Sequence, residues 1–433
     1  METINGFPVL TVEYGKSGKA KDSAHTQKVK DFAAAQDLDE LLVLSHGWNN
    51  AASEAKDLYT KLLRHVKDNL SAEPRLAARK IGVLAVIWPS KRFRAFETDT
   101  GGGHAGGAAS AEPEIDDPLE DARALAAELD EELSEAQQTR LIDAAEAAIK
   151  NENNWAAFLE TLKEVIPHDE GDGDEADMLL FDGIADPDQA LAQFDGIDAA
   201  TDDGYQGGGA ASGLFSGAAG AVGSVLNFTT YYTMKRRAGK VGQFGLAHSL
   251  VGLRVQKPSL RIHFAGHSFG GRVVTMAAMA LNGQSSAAPD SMTLLQAAFS
   301  QNAFSANFPP PNKPGFFRNV MARNCVKGPI LVTHTFNDIP VRVAYSIASA
   351  LSGDNASFTS NAPSQYGGLG ANGAQHMGSE GDQGMLLEAG AAGYAFRTGT
   401  VYNLKADQFI KGHSKIKTPQ VGYALVKAMA ATL

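Results

Sequence analysis

The chain has 433 residues, of which 44% are hydrophobic, and a formal net charge of −11. That composition suits a packed globular protein, and the acidic balance argues against nucleic acid as a partner. A single cysteine, Cys325, excludes an intrachain disulfide, and the first residues lack a basic start followed by an apolar core, so no secretory leader is expected and a cytoplasmic location is.

Apolar runs at residues 9–14 and 41–45 read as buried strands. The second runs into His46-Gly47-Trp48-Asn49-Asn50. Gly47 permits the backbone to turn an amide outward, so Trp48 is a candidate main-chain donor to an oxyanion. A plain strand-to-helix turn capped by Asn50 or Ser53 is the alternative, and both readings are compatible. A helix is expected over 53–70 and a strand over 82–87.

A long insertion follows. Between Glu97 and Asp203 there are 31 acidic residues against 4 basic ones, a net of −27 in a chain whose total is −11. Such a split argues for two regions with different surroundings. Leu119, Ala122, Leu125, Leu129, Leu133 and Leu141 fall near helical spacing, as do Trp155, Phe158, Leu159, Leu162 and Val165. These helices would form an acidic cap, with glycine-rich joints at 101–107 and 204–213. The run 169–177 hints at calcium but does not fit an EF-hand loop, and reads as solvated acidic chain; no metal is expected. Residues 204–234 carry no formal charge, yet are too rich in Gly, Ser, Thr and Asn for a membrane span. A mobile lid is expected there instead, with Leu214, Phe215 and Phe228 touching apolar substrate. The basic triplet Lys235-Arg236-Arg237 is expected to face solvent or pair with the acidic cap.

A helix is expected over 231–253, then the strand 260–264 and Gly266-His267-Ser268-Phe269-Gly270-Gly271, which enters another helix. A strand, Gly-x-Ser-x-Gly and a helix in that order describe a turn so tight that its serine projects from the sheet edge. Gly266 and Gly270 stand where any Cβ would clash. Ser268 is therefore the candidate nucleophile, and the N–H of Phe269 the first oxyanion donor. Strands over 292–297 and 330–335 follow. Asp338, just past the second, is the candidate acid; capping the helix that starts near Pro340, expected over 341–351, is the lesser alternative. Asp354 and Asp382 lack a preceding strand. After a strand at 399–404, His413 lies in the loop before a final helix at 419–432 and is the candidate base. His376 and His334 are its rivals.

These segments resemble the α/β-hydrolase superfamily. Ser45–Asn50, Trp88-Pro89-Ser90, the stretch from Tyr231 to Gly242 and the tail around His413 are similar to those of bacterial serine-esterase-like hydrolases of unassigned substrate. The resemblance covers roughly residues 38–95 and 226–433. It implies an α/β-hydrolase fold, a mainly parallel sheet flanked by helices; the acidic insertion between Ser90 and Tyr231, expected to act as cap or lid, is where the chain departs from a simple hydrolase. The domain division would be 1–95 with 229–433 for catalysis and 96–228 for the cap. It further implies cofactor-free hydrolysis of an ester through an acyl-enzyme, and implies no substrate. The partner expected is a small-molecule or lipid ester, with contact to a membrane surface allowed and a membrane span not. A lipase or phospholipase with an interfacial lid is the alternative enzyme. A non-catalytic binding protein on a hydrolase scaffold is the alternative of another class.

Overall fold

The computed structural model describes residues 2–48, 50–90, 118–129, 133–165, 218–283, 286–309, 312–342 and 367–433. Nine strands form one sheet: β1 (Glu2–Ile4), β2 (Phe7–Glu13), β3 (Glu40–Ser45), β4 (Ile81–Ile87), β5 (Arg261–His267), β6 (Ser291–Leu295), β7 (Ile330–His334), β8 (Gly381–Met385) and β9 (Val401–Lys405). Their spatial order is β1-β2-β4-β3-β5-β6-β7-β9-β8. Every neighbouring pair is parallel except β1 with β2. Eight principal helices are α1 (His25–Ala35), α2 (Ala52–Asn69), α3 (Pro118–Glu128), α4 (Glu135–Lys150), α5 (Trp155–Val165), α6 (Ala218–Lys240), α7 (Phe269–Leu281) and α8 (Pro419–Ala430).

The central strands are buried along nearly their whole length and mostly apolar because both faces of the sheet are covered. Leu41, Val43, Leu84, Val86, Ile262 and Phe264 point into one apolar layer, shared with α1, α7 and the C-terminal half of α6. Leu42, Leu44, Val83, Ala85 and Ala265 point into the other, shared with α2 and α8. The alternation of a strand's side chains thus feeds two cores at once.

The sequence pattern missed β1, β8 and α1. β1 is a three-residue edge strand, and β8, Gly-Asp-Gln-Gly-Met, has neither apolar alternation nor strand-forming residues. α1 buries only Val29, Phe32 and Ala33.

α3, α4 and α5 gather a third apolar cluster around Leu125, Leu141, Trp155, Phe158 and Leu162. Val222, Val225 and Leu226 of α6 belong to this cluster, whereas Met234 and Ala238 belong to the sheet's own core. One continuous helix therefore serves both, and the expected division at 228/229 falls inside it. The helix also begins earlier than expected: residues 218–230, assigned to a mobile lid, form its first turns. Past Lys240 it continues through a π-helical stretch, Val241–Leu246, into Ala247–Leu250. A Cβ at Gly242 would strike the carbonyl of Val273 on α7, so the two backbones touch there. Leu214 and Phe215, the acidic run 169–177 and both glycine-rich joints lie outside the described residues, while Phe228 lies on α6.

The triplet Lys235-Arg236-Arg237 is buried, which corrects the solvent-facing option. Arg237 pairs with Glu128 at the end of α3 and donates to the carbonyl of Pro89 at 2.9 Å. The acidic segment thus supplies the counter-charge that lets a guanidinium sit inside the protein. Among the described residues no helix is long and apolar enough to cross a membrane.

Candidate active site

β3, β5, β6, β7 and β9 are consecutive in the sheet and parallel, so the loops after them leave one edge side by side. Functional groups in open α/β sheets gather at such carboxyl ends. The loops carry, in order along that edge, Trp48, Ser268, Gln296, Asp338 and His413.

Ser268 is the sharp point of the turn between β5 and α7. Its φ of 55° and ψ of −126° are rare for a residue with a side chain. Main-chain bonds hold it there: its N–H donates to the Leu295 carbonyl at 3.0 Å, and its carbonyl accepts from Ala298 at 3.2 Å and Gly271 at 2.9 Å. Added Cβ atoms show why glycines flank it. At Gly266 one would overlap the main chain of Gly270, and at Gly270 one would overlap the carbonyl of Ser45. At Gly47 one would lie 2.6 Å from the Ser268 Cβ, so the His46–Trp48 loop sits directly on the serine.

Asp338 and His413, 75 residues apart in sequence, are hydrogen-bonded. His413 Nδ1 lies 2.9 Å from Asp338 Oδ1 and 3.0 Å from Oδ2, so Nδ1–H is the donor and Nε2 is turned away from the carboxylate. Asp338 is fully buried, and its Oδ1 also accepts from the Val341 N–H at 3.1 Å. One carboxylate thus accepts both from the following helix's main chain and from His413. The His413 side chain keeps 18% of its surface exposed. Among the described residues no hydrogen bond joins Ser268 Oγ to His413 Nε2. Such bonds in unliganded sites are often long and tighten in the substrate complex.

The rivals stand elsewhere. Asp382 on β8 pairs with Arg397 at 3.4 Å, and His376 Nδ1 contacts Asn302 at 2.9 Å. His334 ends β7, where burial holds its pKa down at about 4. Asp354 and most of the helix expected at 341–351 lie outside the described residues.

Phe269 is the first residue of α7, whose leading N–H groups have no acceptor within the helix. Its ring packs 6.1 Å from that of Trp48 and 4.9 Å from that of Tyr231 on α6; Trp48 and Tyr231 meet edge-on at 5.7 Å. The two candidate oxyanion donors are thus held by one aromatic cluster. Neither Asn50 nor Ser53 caps α2, which corrects the alternative reading of that turn. The N-cap is Ala51, whose N–H donates to Glu54, while the Asn50 amide donates to the carbonyls of Trp48 at 2.8 Å and Gly47 at 3.2 Å. Asn50 therefore shapes the loop rather than the helix start.

Sequence reasoning missed the residues that support this frame. His46 is fully buried, and burial lowers its pKa to about 4. Its Nε2 accepts from the Trp88 N–H at 3.2 Å, so Nδ1 carries the hydrogen and donates to the Gly47 carbonyl at 2.9 Å. The Trp88 ring stacks on it at 5.5 Å, and the Trp88 indole N–H returns a bond to the His46 carbonyl at 2.9 Å. Trp88-Pro89-Ser90, noticed only as part of a resemblance, thus clamps the donor loop. His267 precedes Ser268 and is neutral because burial lowers its pKa to about 3. It lies 3.0 Å from the His413 carbonyl through Nε2, so it donates there and anchors the loop that carries His413. Gln296, after β6, reaches Asp338 Oδ2 at 3.1 Å. A polar residue closing an apolar strand, Leu294-Leu295-Gln296, was the available signal.

Comparisons with family models, with curated proteins and with solved structures find no match for this chain.

Proposed function

We propose that the chain is a serine hydrolase of carboxylester type on an α/β-hydrolase fold, acting through an acyl-enzyme without a cofactor. One observation carries the reading. A serine strained at φ 55° between two sterically obligatory glycines shares a sheet edge with a buried aspartate bonded to a histidine. No simple need of folding asks for all three together.

In this reading His413 Nε2 takes the Ser268 proton as Oγ attacks the ester carbonyl. Asp338 holds the ring and stabilises the imidazolium. The N–H groups of Phe269 and Trp48 receive the tetrahedral oxyanion, each such donor contributing on the order of 100-fold in rate. His413 then returns the proton to the leaving alcohol and activates the water that frees the acid. The substrate is a small-molecule or lipid ester. The acidic helices α3–α5 serve as a cap: Ile339, next to Asp338, packs against their apolar cluster, which favours their standing beside the cleft.

The test is labelling by a fluorophosphonate and turnover of p-nitrophenyl esters, in the wild type and in Ser268→Ala. The variant should fold normally, take no label and lose at least about 1,000-fold in kcat/KM. Comparable turnover by Ser268→Ala, or a wild type that neither labels nor turns over, removes the reading.

A further inference from the structure

Gln296 closes β6, between the strand that leads to Ser268 and the strand that leads to Asp338. It is fully buried and adopts φ 47°, a conformation rarely held by a residue with a side chain. Its bonds define which way its amide faces. The main-chain N–H of Gln296 donates to Thr333 Oγ1 at 3.2 Å. The hydroxyl hydrogen of Thr333 is then left to donate to Gln296 Oε1, 2.8 Å away. Oε1 being fixed, Nε2 faces the Gly370 carbonyl at 2.8 Å and Asp338 Oδ2 at 3.1 Å, and both of its hydrogens are used. Turned over, the amide would set its oxygen against a carbonyl and a carboxylate. A Cβ at Gly370 would lie 2.6 Å from the Gln296 main chain, so only glycine lets that carbonyl come within reach.

The consequence falls on Asp338. Its carboxylate accepts from Gln296 Nε2, the Val341 N–H and His413 Nδ1. Two of these three donors belong to the scaffold and fix the rotation of the carboxylate. The third is then met at one ring orientation only. We propose that Thr333 and Gln296 form a positioning relay: the threonine hydroxyl sets the glutamine amide, the amide sets the carboxylate, and the carboxylate sets the tautomer and tilt of His413. Its catalytic consequence rests on the hydrolase reading; its structural consequence does not.

The experiment uses the full chain with Gln296→Leu, Thr333→Val and Thr333→Ser. Proton NMR follows the strongly downfield His413 Nδ1–H, assigned by its loss in His413→Gln. Gln296→Leu and Thr333→Val should shift that signal upfield or broaden it away, and Thr333→Ser should restore it. With p-nitrophenyl acetate, kcat should fall about 10-fold or more while KM stays within about twofold, because orientation and not binding is lost. A wild-type signal retained in both Gln296→Leu and Thr333→Val overturns the relay, as does absence of the signal from the wild type. Should Gln296→Leu not fold, the near-isosteric Thr333→Val decides alone. A wild type inert towards esters and fluorophosphonate counts against the hydrolase reading, and the NMR comparison still judges the relay.

Discussion

At the scale of the residue, the site depends on places where no other side chain fits. Gly270 is one of them: a methyl group there would enter the carbonyl of Ser45, a main-chain atom of a central strand that cannot step aside. Gly270→Ala should therefore cost more than about 3 kcal/mol, or prevent folding, as overpacking against rigid neighbours does. Urea unfolding of that variant measures it; a midpoint equal to the wild type's would mean the turn is looser than described. This part of the site was legible in the sequence because glycine is the one residue whose absent side chain is itself a geometric instruction. Asp338 and His413 were legible for another reason, as polar residues just past apolar strands. Gln296, His46 and His267 were not singled out. Their importance comes from partners between 37 and 146 residues away, and no local pattern records such a pairing.

At the scale of the element, the central strands and α2, α7 and α8 were readable from periodicity, since both faces of the sheet demand unbroken apolar runs. The beginning of α6 was not. Its first turns are Ala, Gly, Ser and Thr between scattered valines, a composition that favours no single conformation, and they are helical because α3–α5 cover them. Of the two readings of Lys235-Arg236-Arg237 on α6, exposure fails and pairing with the acidic segment holds for Arg237, whose partner carboxylate comes from more than 100 residues upstream. That pairing predicts an asymmetry. Glu128→Gln, which leaves Arg237 buried without its counter-charge, should destabilise α3–α5 by several kcal/mol. Limited proteolysis should then cut the helices within 118–165 sooner in the variant, while the sheet persists. Equal cleavage rates would show that the pair contributes nothing to holding the segment down.

At the scale of the whole molecule, three imidazoles, two buried and one partly so, tie folding to acidity. His46 and His334 are held to pKa values of about 4 and His267 to about 3, in each case chiefly by burial. The unfolded chain takes these protons near the ordinary histidine value of about 6.5. Between there and about pH 4 the unfolded state binds more protons than the native one, so stability rises with pH across that window. It is complete above about 6.5 and is lost on acidification, by a few kcal/mol for each ring. Thermal melts at pH 7 and pH 4.5 check this: Tm should drop markedly, and less so in His46→Gln once that variant's lower starting stability is allowed for. A Tm indifferent to pH over that range would contradict the buried neutral assignment. Finally, α6 is a single rod planted in two foundations. Cutting out residues 96–217 would not give a smaller, tidier protein, because Val222, Val225 and Leu226 would stand in water with nothing to lean on. Such a truncation should self-associate on a sizing column, and replacing those three with polar residues should return it to the size of one chain.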